Sequence, residues 1–400
     1  MQILVLNSGS SSIKFRLFDM ADRSGRAWGY VDRIGEAESR VVLTLGAGEP
    51  GSGTDETGPV HDHAAGFERI AVALKHAGVL EDQPLDAVGH RVVHGGESFS
   101  EPAVIDESVL ATIRENIPLA PLHNPANMVG IEVARERFRG VPQVAVFDTA
   151  FHQTMPEFAY RYAVPDSLYR RHRVRRYGFH GTSHRYVRAR VAEHLGRQLD
   201  DLNAVILHLG NGASATAVRE GRSVDTSMGL TPLEGLIMGT RSGDVDPALH
   251  AFLARNAGLS LDEIDALLNR DSGLKGLCGS NDLREIHKQA EAGDKAAALA
   301  LDMYCYRIRK YLGAYTAVLG RVDAIAFTAG VGENDARIRE RCCQDLGHLG
   351  IDIDPALNAA AAGGIAPIHA PSSRVAILVV ATNEELQIAH EVERCLSGAG

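Results

Sequence analysis

Four side chains that can act on charged groups follow apolar runs or stand in glycine-rich turns. Arg91 lies near the end of a predicted strand, Asp148 directly follows another, His180 stands between two glycines, and Arg241 lies in a glycine-rich connection. A guanidinium offers planar paired donors to a carboxylate or phosphate, and open α/β sheets bind ligands at the carboxyl ends of their strands. The pattern indicates chemistry on anionic groups. The alternative for the two arginines is a pair of surface salt bridges.

The stretch from Ile3 to Asp19 predicts a turn that can receive a phosphate. Apolar residues run into Asn7, a glycine and four serines follow, and apolar alternation resumes through Leu17. The glycine permits unusual backbone angles, and the serine hydroxyls lie beside exposed N–H groups, which together suit a phosphate. Taken alone, the stretch fits an ordinary Gly/Ser hairpin equally well.

The same strand and turn pattern recurs about half a chain later. An apolar run from Ala204 ends in His208, a Gly-Asn-Gly turn follows, and apolar alternation resumes. A third apolar run, from Ala324, ends in the glycine-rich residues 330–334. This repetition indicates a duplicated α/β domain that holds a nucleotide in the cleft between its halves.

Composition narrows the class of protein. The 400 residues are 45% hydrophobic and carry a formal net charge of −10, which predicts globular domains and argues against general nucleic-acid binding. The five cysteines include no C-x-x-C pair, and no basic N-terminal segment or membrane-length apolar run occurs. We therefore expect a reduced, cytoplasmic setting without membrane insertion.

One stretch departs from the acidic average. The run that starts at Tyr169 alternates arginines with aromatic residues, a composition that can bind RNA. A solvated basic face is the favoured interpretation, because the chain as a whole is acidic. The run ends in the sequence GFHG, whose glycines permit close approach to His180.

Two domains are predicted. The first spans residues 1–150 and is completed by a C-terminal helix at about residues 385–400, and the second spans residues 151–384. The boundary follows Asp148, where a polar, proline-bearing segment interrupts the alternation of strands and helices. Within the domains, we expect residues 46–59 to form a surface loop and Asn124 and Asp282 each to cap a helix.

Seven strings together resemble the acetate kinase (acetokinase) family. They are LNSGSSSIKF at Leu6, FDTAFHQTMP at Phe147, GFHGTSH at Gly178, HLGNGAS at His208, MGTRSGDVDP at Met238, FTAGVGEN at Phe327 and TNEE at Thr382. The likeness runs in family order from Val5 to the last predicted helix. The segment before Asp282 and Arg284 departs from the commoner family wording.

The resemblance implies a fold and a reaction. The fold would be α/β, with two duplicated actin-like ATPase (ribonuclease H-like) domains, the active site in the interdomain cleft, and a homodimer. The reaction would be the reversible transfer of the ATP γ-phosphoryl group to acetate, giving acetyl phosphate and ADP, with Mg²⁺ required and Mn²⁺ as an alternative. Two other functions stay open: a propionate- or butyrate-preferring kinase of this family, and an actin- or Hsp70-like conformational ATPase. The last would have no use for the arginine pair with Asp148 and His180.

The resemblance also assigns roles to individual residues. The catalytic residues would be Asp148, Arg241, His180 and Arg91. The acceptor acid would contact Arg91, Val93, Leu122, His123, Phe179 and Pro232. Four of these residues would form a small apolar wall: Val93, Leu122, Phe179 and Pro232. Magnesium would be bound by Asn7 and Glu384. The nucleotide would contact Asn7, Ser10, Ser12, Lys14, His208, Leu209, Gly210, Asn211, Gly212, Asp282, Leu283, Arg284, Gly330, Val331, Gly332, Glu333 and Asn334.

Three of these residues have alternative interpretations. A short carboxylic acid is already ionised at pH 7, so nothing on the acceptor needs deprotonation. Asp148 is therefore interpreted as a group that orients Mg²⁺-bound water or an arginine, rather than as a general base. His123 precedes a predicted helix and is alternatively a packed residue, and Asp282 is alternatively a helix cap only.

Overall fold

The computed structural model describes residues 1–398 except residues 10, 47–52, 77, 79–83 and 122. The chain divides into two compact units. Unit 1 contains Met1–Gln153 and Asn383–Gly400, and unit 2 contains Thr154–Thr382. None of the helices in the described ranges has the length and apolar character needed to cross a membrane.

Unit 1 is built on an eight-stranded sheet with the strand order β5-β4-β3-β2-β1-β6-β8-β7. Its strands are β1 (Gln2–Ser8), β2 (Ser12–Asp19), β3 (Ser24–Asp32), β4 (Ser39–Leu45), β5 (Gly53–Gly58), β6 (Ala87–Val92), β7 (Ala103–Val104) and β8 (Gln143–Phe147). Its first helices are α1 (His63–His76), α2 (Glu107–Glu115) and α3 (Asn124–Arg137). Strands β1, β6 and β8 run parallel, so their carboxyl ends meet at one edge.

Unit 2 is built on a six-stranded sheet with the order β11-β10-β9-β12-β14-β13. Its strands are β9 (Ala204–Leu209), β10 (Ala213–Arg219), β11 (Arg222–Thr226), β12 (Ala324–Thr328), β13 (Ile365–Pro367) and β14 (Ala376–Val380). Its helices are α4 (Glu157–Tyr160), α5 (Asp166–His172), α6 (Gly181–His194), α7 (Ala248–Asn256), α8 (Leu261–Arg270), α9 (Gly273–Cys278), α10 (Leu283–Glu291), α11 (Lys295–Leu319), α12 (Ala329–Asn334), α13 (Ala336–Cys343) and α14 (Pro355–Ala360).

The two sheets share one topology. The order β3-β2-β1-β6-β8-β7 corresponds strand for strand to β11-β10-β9-β12-β14-β13. In unit 1, β1 pairs antiparallel with β2 and parallel with β6. In unit 2, β9 pairs in the same way with β10 and β12. The repeated strand and turn pattern in the sequence is therefore a repeated fold, and the turn after each first strand occupies the same place in its sheet.

The last helix, α15 (Glu384–Leu396), belongs to unit 1. Asn383 caps it by accepting a hydrogen bond from the Leu386 N–H. Its buried face packs on β1, β6 and β8 in a cluster that includes Ile3, Val5, Ile388 and Val392. On the other face of the sheet, α1 and α3 cover a second cluster around Leu4 and Leu6. Strand β1 is thus buried on both faces, as a continuous apolar run predicts.

Two local predictions were wrong. Residues 46–59 were expected to be a surface loop, but residues 53–58 form β5, an exposed edge strand that pairs with β4. Its polar, glycine-bearing sequence has no apolar alternation, so only pairing with the exposed edge of β4 accounts for the strand. Asn124 was expected to be the cap of α3. It is the first residue of the helix, and His123 is at the cap position.

The basic run from Tyr169 is only partly solvated. Arg171 is exposed, but Arg175 is 4% exposed and its guanidinium stacks 3.6 Å from the ring centroid of Tyr160. Arg176 donates to Glu234 at 2.5 Å. Aromatic stacking and ion pairing therefore explain much of this run, and the interpretation as a purely solvated face is corrected.

The contact between α15 and the sheet of unit 1 can be tested at Gly89. A Cβ atom at this position would lie 2.7 Å from Val392 Cγ2 and 3.0 Å from Ile388 Cγ2, both on stiff β-branched side chains. Gly89→Ala should lower the free energy of unfolding by about 1–3 kcal/mol, as overpacked cores do. Urea denaturation measures it.

Gly313 provides the matched control. It lies inside α11, and a Cβ atom there would meet nothing within 4 Å. Gly313→Ala should stabilise the protein by about 0.4–1 kcal/mol. An unchanged or raised stability in Gly89→Ala would show that α15 does not hold the position described.

Candidate active site

The candidate site of unit 1 forms where β1, β6 and β8 end. Arg91 is in β6 and Asp148 follows β8; Arg91 Nη2 donates to Asp148 Oδ2 at 2.5 Å, and Arg91 Nε lies 3.1 Å from Asp148 Oδ1. The third guanidinium nitrogen, Nη1, donates to Asn7 Oδ1 at 3.3 Å. Asp148 is buried, so this bidentate pair fixes the guanidinium between two strand ends.

Negative charge outweighs positive charge at this site. Burial disfavours the Arg91 charge, but the carboxylates of Asp148 and Glu384 outweigh burial and raise the pKa of Arg91 above its ordinary value. Burial also raises the pKa of Glu384 to about 7; Arg91 and Lys14 counteract this rise, whereas Asp148 and Glu385 add to it. Three carboxyl groups thus share two basic side chains, and a further cation would be stabilised here.

Two asparagines of α3 hold the neighbouring backbone, and the sequence interpretation missed both of these contacts. Asn127 Oδ1 accepts from the Val93 N–H at 3.0 Å, and Asn127 Nδ2 donates to the Ser8 carbonyl at 2.7 Å. Asn124 bonds both the N–H and the carbonyl of His94. These two amides, three residues apart, lie on the buried face of a helix, a position that asparagine rarely occupies without polar partners. The three-residue spacing of Asn124 and Asn127 was the sequence signal from which these contacts could have been predicted.

The turn between β1 and β2 is closed by backbone bonds. The Gly9 N–H donates to the Ser12 carbonyl at 2.8 Å, and the Gly9 carbonyl lies 2.7 Å from His63 Nε2 of α1. Ser10, which the sequence assigns to nucleotide contact, lies outside the described residues. Lys14 is exposed and, with Ser12, lines a surface cavity of about 660 Å³ whose wall includes Trp28.

The candidate site of unit 2 forms around Gly212, in the turn between β9 and β10. A Cβ atom built on Gly212 would lie 3.5 Å from His180 Nε2 and 3.6 Å from Arg241 Nη1. His180 adopts the left-handed backbone conformation, with φ at 56°, just before α6 begins. A histidine and an arginine therefore face one point that only a glycine leaves open.

Arg241 differs from Arg91 in its partners. Its Nη1 donates to the Pro232 carbonyl at 3.2 Å, and within the described part of the chain no carboxylate pairs with it. Burial lowers its pKa. A half-buried guanidinium without a described anionic partner is a candidate for binding an anionic ligand.

A cavity of about 650 Å³ lies at the end of the unit 2 sheet. Eight residues that the sequence assigns to the nucleotide line it: Gly210, Asn211, Asp282, Leu283, Arg284, Gly330, Val331 and Asn334. Five further lining residues were not predicted: Gly239, Leu274, Asn281, Tyr304 and Asp335. Asp282 also caps α10, accepting from the Arg284 N–H at 2.9 Å, so its capping role is confirmed beside its place in the cavity.

The other residues of unit 2 that the sequence assigns to the nucleotide do not line this cavity. His208 stacks on His180 with ring centroids 4.1 Å apart, and Leu209 is buried at the end of β9. Gly332 packs closely on β12, where a Cβ atom would lie 3.2 Å from the Phe327 carbonyl carbon. The Glu333 carboxylate accepts hydrogen bonds from the N–H groups of Ala329 and Thr382, which fixes the glycine-rich segment.

The predicted apolar wall is spread over both units. In unit 1, Val93 is 8% exposed, and His123 is at the cap position of α3. In unit 2, Phe179 is buried and Pro232 half-buried. Leu122 lies outside the described residues.

Known proteins resemble the chain over its whole length. The acetokinase family model matches residues 2–390. The acetate kinase of Streptomyces coelicolor is 56% identical over 400 residues, with 100% of this chain and 98% of the relative covered. Among solved structures, the Porphyromonas gingivalis acetate kinase matches with a TM-score of 0.93 at 46% identity, covering 99% of both chains. A propionate kinase from Francisella tularensis matches with a TM-score of 0.92 at 43% identity, covering 98% of both.

The family model, the relatives and the duplicated actin-like ATPase fold together make the chain a phosphotransferase with a carboxyl group as acceptor. The chain belongs to the acetokinase family. The resemblance drawn from the seven strings is thereby confirmed, together with the fold class and the kinase class. Members of this family use ATP and ADP as nucleotide substrates.

The open point above Gly212 generates a steric prediction. Gly212→Ala places a methyl group at ordinary contact distance from His180 and Arg241, so the fold should tolerate it. If oxygens of the transferring group occupy this point, turnover should fall by about 100-fold or more, because the donors no longer reach them. Steady-state kinetics measures the loss, with Gly313→Ala as the control. Near-normal turnover would exclude this point from the reaction path.

Proposed function

We propose that this protein is an acetate kinase that transfers the γ-phosphoryl group of ATP reversibly to acetate. The observation that carries the proposal is the convergence of His180 and Arg241 on the space above Gly212, close to a cavity large enough for a nucleoside. Family membership and the acetate kinases at 56% and 46% identity support the choice of reaction. A conformational ATPase is disfavoured, because it would have no use for a site where His180 and Arg241 converge.

The nucleotide is proposed to bind in unit 2. Adenosine would occupy the cavity lined by Tyr304, Asp282 and Arg284, and the phosphates would extend toward the Gly210–Gly212 turn. Asn211 helps to shape this turn, since its carbonyl accepts from the Gly239 N–H and its side chain accepts from Asn281. Glycines at this turn permit the close backbone approach that phosphates require.

His180 and Arg241 are proposed to stabilise the transferring phosphoryl group. Charge spreads over its equatorial oxygens during transfer, and preorganised donors in a water-poor site stabilise that charge strongly. Arg241 is suited to this role because no described carboxylate neutralises it. His180 contributes a neutral or charged N–H donor from Nε2, the nitrogen that faces Gly212.

Arg91 is proposed to bind the acceptor carboxylate. Its contacts to Asp148 and Asn7 use one hydrogen from each of its three nitrogens, which leaves one hydrogen each on Nη1 and Nη2. Acetate is ionised at neutral pH, so its oxygen can attack without a general base. Asp148 then acts by holding Arg91 in place, which supports its interpretation as an orienting group.

Magnesium is proposed to bind near Asn7 and Glu384, and Mn²⁺ is an alternative. Amide and carboxylate oxygens are ligands that a hard divalent cation accepts, and a nearby cation would offset the desolvation that raises the pKa of Glu384. No cluster of three metal-binding His, Cys, Asp or Glu side chains occurs among the described residues. A cation held mainly by water and phosphate oxygens needs none. When bound, it would neutralise charge on the phosphates.

Several features remain predictions. They are the homodimer, the cytoplasmic location, the absence of a nucleic-acid partner, and the functional division into residues 1–150 with the C-terminal helix and residues 151–384.

The preferred acceptor acid is the most specific part of the proposal. A β-branched side chain at Val93 leaves little space beyond the carboxylate, which favours acetate over longer acids.

The acceptor can be tested by trapping the acyl phosphate. Protein, ATP, Mg²⁺ and hydroxylamine should give a hydroxamate with acetate, and less with propionate or butyrate. Val93→Ala should raise kcat/KM for the longer acids relative to acetate by about 10-fold or more, since one methylene in an apolar pocket is worth roughly 1–3 kcal/mol. An unchanged ratio would remove Val93 from the wall. A wild type that favours butyrate would overturn the acetate assignment.

The role of Asp148 can be separated from acid–base chemistry by Asp148→Asn. The amide keeps the shape but loses the charge that pairs with Arg91, so kcat should fall by about 100-fold or more through a displaced guanidinium. Both limbs of the pH profile of the residual activity should match those of the wild type. Loss of one limb would instead assign proton transfer to Asp148.

A further inference from the structure

We propose that Ser214 is a positioning residue that sets which nitrogen of His180 carries the proton. Ser214 lies in β10 and is fully buried. Its Oγ lies 3.0 Å from His180 Nδ1 and 2.8 Å from His184 Nε2, so one hydroxyl bridges two imidazoles. The proposal rests on the role of His180 in the proposed function.

The proton count of this bridge couples the two rings. A serine hydroxyl donates one hydrogen and accepts at its oxygen. If Ser214 donates to His180 Nδ1, the neutral His180 carries its proton on Nε2, and His184 donates its Nε2–H to Ser214. In the reverse arrangement His180 donates from Nδ1 and its Nε2 is bare. The two arrangements have the same heavy-atom positions, so the site's chemistry must decide between them.

The charge near Gly212 favours the first arrangement. His180 Nε2 faces the same point as Arg241 Nη1, where phosphoryl oxygens would be bound. A bare Nε2 would direct its lone pair at an anion, whereas Nε2–H donates to it. An N–H on Nε2 of His180 therefore fits the anion that Arg241 also favours.

Stacking restrains the plane of the His180 ring. His208 stacks on it at 4.1 Å, with 22° between the ring planes, and His208 Nδ1 bonds to Ser183 Oγ at 2.8 Å. Ser183 Oγ in turn lies 2.9 Å from Thr382 Oγ1. The Ser214 hydroxyl, by contrast, contacts a ring nitrogen of His180 itself. Ser214 therefore has a role that packing alone does not supply.

The direct test is ¹⁵N NMR of the full chain labelled at histidine nitrogens, with His180→Gln used to assign the resonances. The wild type should show His180 protonated on Nε2 and unprotonated on Nδ1. In Ser214→Ala this preference should weaken, because nothing at that position donates to Nδ1. Protonation of wild-type His180 on Nδ1 would overturn the proposal.

Kinetics supply the second readout. Ser214→Ala should lower kcat by about 10- to 100-fold while the KM values for ATP and acetate change less than about threefold, the pattern of a lost transition-state interaction. Ser214→Thr keeps the hydroxyl and should recover most of kcat. An unchanged kcat in Ser214→Ala would also overturn the proposal.

Thr216→Val is the matched control. Thr216 is buried in the same strand, two residues from Ser214, and its hydroxyl contacts Thr226 rather than a histidine. Thr216→Val should keep the wild-type kcat while losing about as much stability as Ser214→Ala. If Ser214→Ala does not fold, the wild-type NMR measurement still decides. If the wild type lacks kinase activity, the proposed function fails, whereas the tautomer of His180 is measured independently.

Discussion

The buried ion pair between Arg91 and Asp148 is the interaction on which the site of unit 1 depends. Removing either partner would leave the other charge uncompensated among strand ends, a change that typically costs about 3–5 kcal/mol. The pair also joins β6 to β8 at their functional ends, and the Nη1 contact extends it to Asn7 in β1. A single guanidinium thus defines the geometry of three adjacent strands. The Asp148 carboxylate is necessary for this geometry even if it never transfers a proton.

Unit 2 solves a related problem with the opposite charge balance. Arg241 is half-buried, and among the described residues its guanidinium contacts a carbonyl and a thioether instead of a carboxylate. Unit 1 gathers carboxylates that favour a cation, whereas unit 2 holds a cation that favours an anion. A metal ion would satisfy the requirement of unit 1, and a phosphate would satisfy that of unit 2. The electrostatic character of each unit is thus understandable as a preparation for its own ligand.

Much of the framework followed from local sequence, and the exceptions have physical causes. The C-terminal helix was predicted at about residues 385–400 and is α15, Glu384–Leu396, because Asn383 caps it and the apolar spacing between cap and helix end is unbroken. Strand β5 could not be predicted, since it is formed by pairing with β4 and is not favoured by its own composition. Propensity gives no signal for an exposed edge strand of this kind.

The site was predictable where a motif carries its own chemistry and hidden where residues act through partners distant in sequence. The glycine turns and the two arginines stand out locally. Ser214 does not, because its role depends on the imidazoles that its hydroxyl contacts. Tyr304 reaches the cavity from α11, far along the chain from the glycine turns. No spacing rule within one segment connects such residues to a ligand.

The shared topology of the two sheets has a consequence for how the halves could diverge. In one hairpin Asn7 faces Lys14 across the strands, and at the corresponding place in the other hairpin His208 faces Ser214. The hydrogen bonds between the paired strands use only backbone groups. The same backbone pairing therefore accommodates an amide opposite an ammonium in one hairpin and an imidazole opposite a hydroxyl in the other. After duplication, each copy was therefore free to change its chemistry at this pair while the sheet that presents it stayed unchanged.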